Sequence, residues 1–294
     1  MSYRKFMGTG VAIITPFRRD DSIDFSALTK ITEHIVSNEA EYIVVLGTTG
    51  ETPTLSKDEK KAVVNCVVET VDKRVPVVVG LGGSNTQEII GKLKKSKLHG
   101  ADAILSVCPY YNKPSQKGIY QHFKNIASFS PVPVIIYNVP SRTGVNITAE
   151  TTLKLATEVN NSFIGIKEAS GNLGQIMNII NNKPDNFLVI SGDDALTLPM
   201  ISAGASGVIS VIANAFPKEF SDMVRFALRN RFKEAREIHY KFMEIMEQLF
   251  VEGSPSGLKA AMSILGLAQN QVRLPLSPVS RTVYNRLAEL IKAL

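Results

Sequence analysis

Eight short apolar runs, interleaved with amphipathic ones, constrain what this chain can fold into more than any other feature of it. The runs span residues 10–14, 42–46, 75–79, 103–107, 132–137, 163–167, 187–190 and 207–211. Near-continuous apolar runs of this length suit parallel strands covered on both faces. Between them, segments such as 25–38, 56–71, 86–98 and 149–158 place apolar residues at helical spacing. Two of these open with capping residues: Ser56 precedes Glu59 as in a capping box, and Thr148 precedes Thr151 less ideally. Eight such units, spaced by roughly 20–35 residues, predict a (β/α)8 TIM barrel. A doubly wound open sheet is the alternative, but it rarely reaches eight units without a nucleotide fingerprint after the first strand.

The strand signal stops after Pro217. Residues 218–229 predict the last barrel helix, and 231–250, 255–265 and 279–294 predict three more, set apart by Gly253, Gly266, Pro275 and Pro278. The expected organisation is a barrel over residues 1–230 carrying a small helical appendage over 231–294.

Composition works mainly by exclusion. An apolar fraction of 44% describes a soluble globular protein with a large core. The net charge of +6 comes from basic residues mixed with glutamates along helices, with no dense Lys/Arg tract. No nucleic-acid partner is expected, only some pull on anionic substrates. The N-terminus from Met1 to Phe6 lacks a signal-peptide core, and no run is long enough to span a bilayer, so a cytoplasmic protein is expected. Cys66 and Cys108 sit in apolar contexts without CxxC spacing and are expected to be reduced, buried and inert. His34, His99, His122 and His239 form no i, i+4 pair, so no metal site is expected. Neither a Gly-x-Ser-x-Gly elbow nor a Walker loop is present.

Barrel active sites gather where strands end at the C-terminal face. The sixth run ends on Lys167, and simple alternation puts Phe163, Gly165 and Lys167 on one face, with Gly165 leaving room beside the lysine. Burial favours the neutral amine of a lysine, the form that attacks a carbonyl. The bland alternative is a strand-end lysine that snorkels to water. After the second run, Gly47-Thr48-Thr49-Gly50-Glu51 offers hydroxyls and backbone N–H groups suited to a carboxylate, or is an ordinary turn. After the fourth comes Pro109-Tyr110-Tyr111-Asn112-Lys113-Pro114, a rigid turn with two phenols. Tyr137, at the end of the fifth run, shares a face with Ile135, and Arg142 in the following loop suits bidentate grip of a carboxylate. Gly80-Leu81-Gly82-Gly83-Ser84 reads as a tight turn, and Asp193-Asp194 as a turn with a helix cap or a metal ligand pair.

Taken in order, Gly47 to Glu51, Tyr137-Asn138-Val139-Pro140-Ser141-Arg142-Thr143-Gly144 and Gly165-Ile166-Lys167 closely resemble the dihydrodipicolinate synthase family. The resemblance extends through Pro109 to Asn112, Ser191 to Asp194, Gly207 to Val211 and the helical tail. The wider superfamily includes N-acetylneuraminate lyases and keto-deoxy sugar acid aldolases, which share the lysine and tyrosine. The Thr48-Thr49 pair, Arg142 and the Tyr110-Tyr111 pair favour the synthases; a sugar acid aldolase is the alternative.

What the resemblance implies is condensation of pyruvate with aspartate 4-semialdehyde through an imine on Lys167, with no cofactor beyond that covalent lysine. It implies a hydroxyl relay of Tyr137, Thr48 and Tyr111, the last from a neighbouring subunit of a homo-oligomer, most readily a dimer of dimers. Thr49 would hold the pyruvate carboxylate and Arg142 that of the semialdehyde, while Gly192 and the Ile209 carbonyl line the pocket. The chain departs from the family at Ser254, where most members carry an asparagine before the lysine that opens a C-terminal helix. The positions matching the family's lysine-feedback site read Lys57, Lys60, Ser84, Glu88 and Tyr110, which implies weak feedback.

Overall fold

Strands that are apolar on both faces must be covered on both, and a closed barrel with a helix after each strand achieves this. A computed structural model describes residues 3–95, 98, 100–159 and 162–294. Its strands are β1 (Gly8–Ala12), β2 (Tyr42–Val45), β3 (Val77–Gly80), β4 (Ala103–Val107), β5 (Val134–Asn138), β6 (Phe163–Glu168), β7 (Leu188–Ser191) and β8 (Gly207–Ser210). They close in sequence order into one parallel barrel, β8 pairing back onto β1. Closure excludes the open sheet. The first strand starts two residues earlier than its apolar run, because Gly8 and Thr9 pair with Gly207 and Val208; the run's last residue, Ile14, donates instead to Asn214.

The outer layer is α1 (Phe25–Ser37), α2 (Lys57–Val71), α3 (Thr86–Lys95), α4 (Gln116–Phe129), α5 (Pro140–Thr143), α6 (Ala149–Glu158), α7 (Leu173–Asn182), α8 (Thr197–Ser202) and α9 (Pro217–Leu228). The Ser56–Glu59 capping box forms in both directions, and Thr148 caps α6 through the Thr151 N–H. Ser96, Lys97 and His99, at the end of the third expected helix, lie outside the described residues, as do Met1 and Ser2. Cys108 is buried, which pushes its thiol up to about 12. Cys66 is only half-buried, contrary to expectation: it packs at the edge of the core, with its Sγ 3.5 Å from the Thr29 hydroxyl of α1. Among the described residues, no helix is long and apolar enough to cross a membrane.

Three further helices follow: α10 (Phe232–Gln248), α11 (Ser256–Ile264) and α12 (Arg281–Lys292). Their Phe242, Ile245, Leu258, Met262, Val283 and Leu287 join the buried cluster that also holds Leu28 of α1, Val63 of α2 and Phe220 of α9. Each such side chain contributes about 1.5–3 kcal/mol when fully buried. The C-terminal helices are thus fastened to the barrel wall through shared core, which fixes them beside its C-terminal rim.

Strand β6 is irregular in a way that matters for the site. Val134 of β5 faces Phe163, but the next residue, Ile135, faces Gly165, so Ile164 is an extra residue in β6. Phe163 and Ile166 both pack outward against the helices, whereas Ile164 turns into the barrel. The simple alternation expected for this run therefore fails at its start and resumes after the irregularity. Gly165 is glycine for a different reason than room beside the lysine: a Cβ there would lie 2.5 Å from the Leu188 carbonyl oxygen of β7. Past that point Tyr137, Lys167 and Ile190 fall in one register row across β5, β6 and β7.

Candidate active site

The row ends at the C-terminal rim, where Lys167 is only 5% exposed. Its Nζ sits 4.4 Å from the centroid of the Tyr137 ring, an attractive arrangement for an ammonium and a π face. The next residues along each strand, Asn138 and Glu168, point outward into a buried polar network. Glu168 accepts from Asn138, from Gln175 at 3.1 Å, and from both the N–H and hydroxyl of Ser170. Asn138 in turn accepts from the Ile147 N–H at 3.0 Å. A carboxylate this well supplied with donors is fixed in place, and it locks the backbone that carries Lys167 and Tyr137. Gly192, at the end of β7, completes the surroundings of the lysine: a Cβ there would press on the Lys167 Cε at 3.0 Å.

A cavity of about 500 Å³ opens above this row. It brings together Lys167, Tyr137, Thr48, Thr49, Arg142 and Gly192, six of the eight residues that sequence analysis put forward. Thr48 and Thr49 stand on a single 3-10 turn, Thr48–Gly50, directly after β2, with Thr49 buried. Arg142 lies on the one-turn helix α5 and donates from Nη2 to the Ser254 carbonyl at 3.2 Å. The remaining two are elsewhere. The Ile209 side chain is 1% exposed within the barrel interior, and Val211, two residues on, lines the cavity. Tyr111 is 93% exposed on the loop after β4, with a positive φ of 73°, and does not reach the cavity of its own chain.

Three contributions escaped the sequence. Met246, Glu247, Phe250 and Gly253, at the end of α10 and just beyond it, form one wall of the cavity, beside Ser254, the position at which the chain departs from the family. Asp194, read as part of a turn, instead accepts from the N–H groups of Val211 and Ile212 at 3.0 and 2.8 Å and so ties the end of β7 to that of β8. Burial pushes its carboxyl up to about 6 against those hydrogen bonds. Glu51, after the threonine turn, forms a fully buried ion pair of 2.5 Å with Lys259 of α11. Burial pushes the Lys259 ammonium down to about 8 despite that partner. The clue available in the sequence was a lysine inside an apolar helix, which needs an anion nearby.

A second cavity, about 390 Å³, adjoins the first through Thr48, Tyr137 and Arg142. Lys60, Ser84, Glu88 and Tyr110 line it, together with Lys92, while Lys57 stays outside it. Glu88 pairs with Lys92 at 2.7 Å, which, with Lys57 and Lys60 nearby, holds its carboxyl below the usual range.

The chain's sequence and fold are shared by known proteins. The family model for the dihydrodipicolinate synthetase family matches residues 5–294. The 4-hydroxy-tetrahydrodipicolinate synthase of Parabacteroides distasonis is 53% identical over 287 residues, covering 98% of this chain and 96% of the relative. The crystal structure of dihydrodipicolinate synthase from Thermotoga maritima superposes with a TM-score of 0.95 at 37% identity, covering 98% of both chains. That of the enzyme from Cyanidioschyzon merolae with lysine bound gives 0.94 at 38% identity, again covering 98% of each. A lysine at the head of the cavity, a phenol beside it and a match along the chain's length lead to one assignment: this chain belongs to the dihydrodipicolinate synthetase family.

Proposed function

We propose that this chain catalyses the 4-hydroxy-tetrahydrodipicolinate synthase reaction, condensing pyruvate with L-aspartate 4-semialdehyde on an imine of Lys167, as a cytoplasmic enzyme. The observation that carries this reading is the buried lysine facing Tyr137 across one register row, under a cavity rimmed by two threonines and an arginine. Lys167 Nζ attacks the ketone carbon and water leaves, giving the imine. A methyl proton is then lost, and the resulting enamine carbon adds to the aldehyde, whose oxygen takes up a proton. The semialdehyde's amine finally attacks the imine carbon and releases Lys167 as the ring closes. Tyr137 and Thr48, with Tyr111 from a neighbouring copy, move these protons; general acid–base catalysis of this kind contributes about 10²–10⁴-fold. Thr49 holds the pyruvate carboxylate, beside the lysine, while Gly192 and the Ile209 carbonyl bound the pocket around the imine. The test is borohydride reduction in the presence of pyruvate, followed by mass analysis: an adduct on Lys167 is expected, and its absence overturns the reading. Turnover with the semialdehyde, and none with sialic or keto-deoxy sugar acids, separates the synthase from a sugar acid aldolase.

Arg142 lines both cavities and donates to the Ser254 carbonyl, and its proposed partner is the semialdehyde carboxylate alone. A charge-assisted hydrogen bond is worth about 1.5–3 kcal/mol, so Arg142→Ala is expected to raise KM for the semialdehyde roughly ten- to a hundredfold. KM for pyruvate should change by less than about twofold, within the spread of a surface substitution. Equal effects on both substrates refute the split of roles.

Homo-oligomerisation belongs to the same proposal. Tyr110 and Tyr111 are 45% and 93% exposed on a turn bounded by Pro109 and Pro114, and exposed phenols on a rigid turn make good interface anchors. Sedimentation is expected to show a dimer or tetramer; an active monomer at assay concentration defeats it.

Free lysine should inhibit weakly. The one acidic side chain lining the second cavity, Glu88, is already paired with Lys92, and Lys60 adds a further ammonium where the ligand brings its own. Like charges at 4 Å cost about 1 kcal/mol in water and several-fold more when partly desolvated, and about 1.4 kcal/mol is tenfold in affinity. The expected inhibition constant is at least about ten times that of a responsive relative assayed alongside. Strong inhibition in that titration shows that a lysine here grips the ligand's carboxylate instead.

A further inference from the structure

The turn that presents Thr48 and Thr49 is held from behind by groups that never reach the cavity. Glu51 follows that turn at φ 51°, in the left-handed region that side chains disfavour and glycine occupies freely. A glutamate at such a position needs a reason, and its carboxylate supplies one. The side chain is fully buried and meets the equally buried Lys259 at 2.5 Å. Its other oxygen accepts from the Arg273 N–H at 3.0 Å. Lys259 also donates to the Gln271 carbonyl at 2.8 Å, and its ammonium lies 4.0 Å from the centroid of the Phe17 ring. The Arg273 guanidinium lies 4.4 Å from the same ring and pairs with Glu59, the capping-box residue of α2. Every charge in this cluster has an opposite partner or a π face, so the cluster has few other arrangements open to it.

The segment that opens α11 therefore touches both Arg142 and the residue that ends the threonine turn. Its Ser254 carbonyl receives Arg142, and its Lys259 receives Glu51. Between Glu51 and the threonines lies only Gly50, whose carbonyl is in turn bound by the Thr15 hydroxyl at 2.8 Å. Movement at Glu51 has nowhere to go but into the turn itself.

We propose that Glu51 and Lys259 are positioning residues: their ion pair carries the hold of the C-terminal helices to the Thr48–Thr49 turn and fixes where that turn meets the carboxylate of the keto acid. This rests on the pyruvate reading above. It assigns the C-terminal segment a part in binding the first substrate, beyond walling the cavity.

The test compares Lys259→Met, Glu51→Asp and the double variant Glu51→Gln/Lys259→Met with the wild-type protein. Sites are first counted by borohydride trapping at saturating pyruvate, and kcat per trapped site and KM for each substrate are then measured. Lys259→Met and the double variant are expected to raise KM for pyruvate about ten- to a hundredfold, as small misplacements of binding groups do. KM for the semialdehyde should stay within about twofold, since Arg142 keeps its carbonyl partner. The double variant leaves no unpaired buried charge, so a rise there reports lost positioning and not an orphaned ion. Glu51→Asp keeps both charges and shortens the reach by one methylene, and decides the matter if the other two fail to fold. Wild-type KM for pyruvate in the folded variants, with only thermal stability reduced, overturns the proposal. A wild-type protein that forms no pyruvate adduct overturns the functional reading itself, before any variant is made.

Discussion

Replacing Lys167 with alanine is expected to abolish both the reducible pyruvate adduct and turnover, lowering kcat by about 10³–10⁶-fold as removal of a covalent nucleophile does. The barrel should survive. Lys167 is one interior side chain at the rim, its neighbours Tyr137 and Ile190 are held by strand pairing, and Glu168 keeps its donors whatever residue precedes it. The lost contact with the Tyr137 ring is worth about 0.5–2 kcal/mol, and removing a buried ammonium offsets part of that. Lys167→Arg sharpens the result. It keeps the charge near Tyr137 yet cannot form an imine, because the guanidinium stays protonated and its nitrogens are delocalised. Both variants should fold with wild-type circular dichroism and yield no adduct by mass. Robust turnover in either one removes the Schiff base from the mechanism.

The comparison with Arg shows what the strand contributes beyond the nucleophile. Lys167 is held with Gly192 beneath its Cε and a phenol at its ammonium, so its Nζ has one direction left, into the cavity. Positioning of this sort is where much of the rate in covalent catalysis originates.

How much of this was legible in the sequence depends on the distance over which a residue acts. Thr48, Thr49, Tyr137, Arg142, Lys167 and Gly192 each follow or end a strand, so a local pattern of apolar runs was enough to bring them to one rim. The irregularity in β6 was not legible, because a period of two assumes one residue per partner, and Ile164 has none of its own in β5. Gly165 was misread for a related reason: its neighbour is the Leu188 backbone on an adjacent strand, which no local window contains. The Ile209 side chain, in register with Gly10 of β1, stays in the barrel interior, and Val211 is the cavity-lining residue past β8 that the sequence did not point to. The wall formed by Phe250 to Ser254 and the Glu51–Lys259 pair depend on how the last helices return over the barrel. That path is set by shared core among α1, α2, α9, α10 and α11, and periodicity alone says nothing about it.

Removing a single oxygen from Tyr137 is the second test with a large expected effect. Tyr137→Phe keeps the ring, and with it the packing at a 6% exposed position and the π face beside Lys167. Fold and thermal stability should therefore change little. What is lost is a proton donor and acceptor for the water that leaves on imine formation, the methyl carbon and the aldehyde oxygen, where the proposed reaction must move protons. General acid–base catalysis by one positioned group is worth about 10²–10⁴-fold, so kcat should fall by that amount. The pyruvate adduct should still form, more slowly, because Lys167 and the proposed carboxylate grip of the threonine turn are unchanged. KM for pyruvate should stay near wild type, since a hydroxyl used only in the transition state contributes little to ground-state binding. The pattern to look for is slow trapping that nonetheless reaches full occupancy, with turnover nearly absent. If Tyr137→Phe turns over within about threefold of wild type, the phenol does not carry the proton, since even a modest general acid contributes some 10²-fold. Tyr137 would then serve through its ring alone, as the π face that receives the ammonium of Lys167.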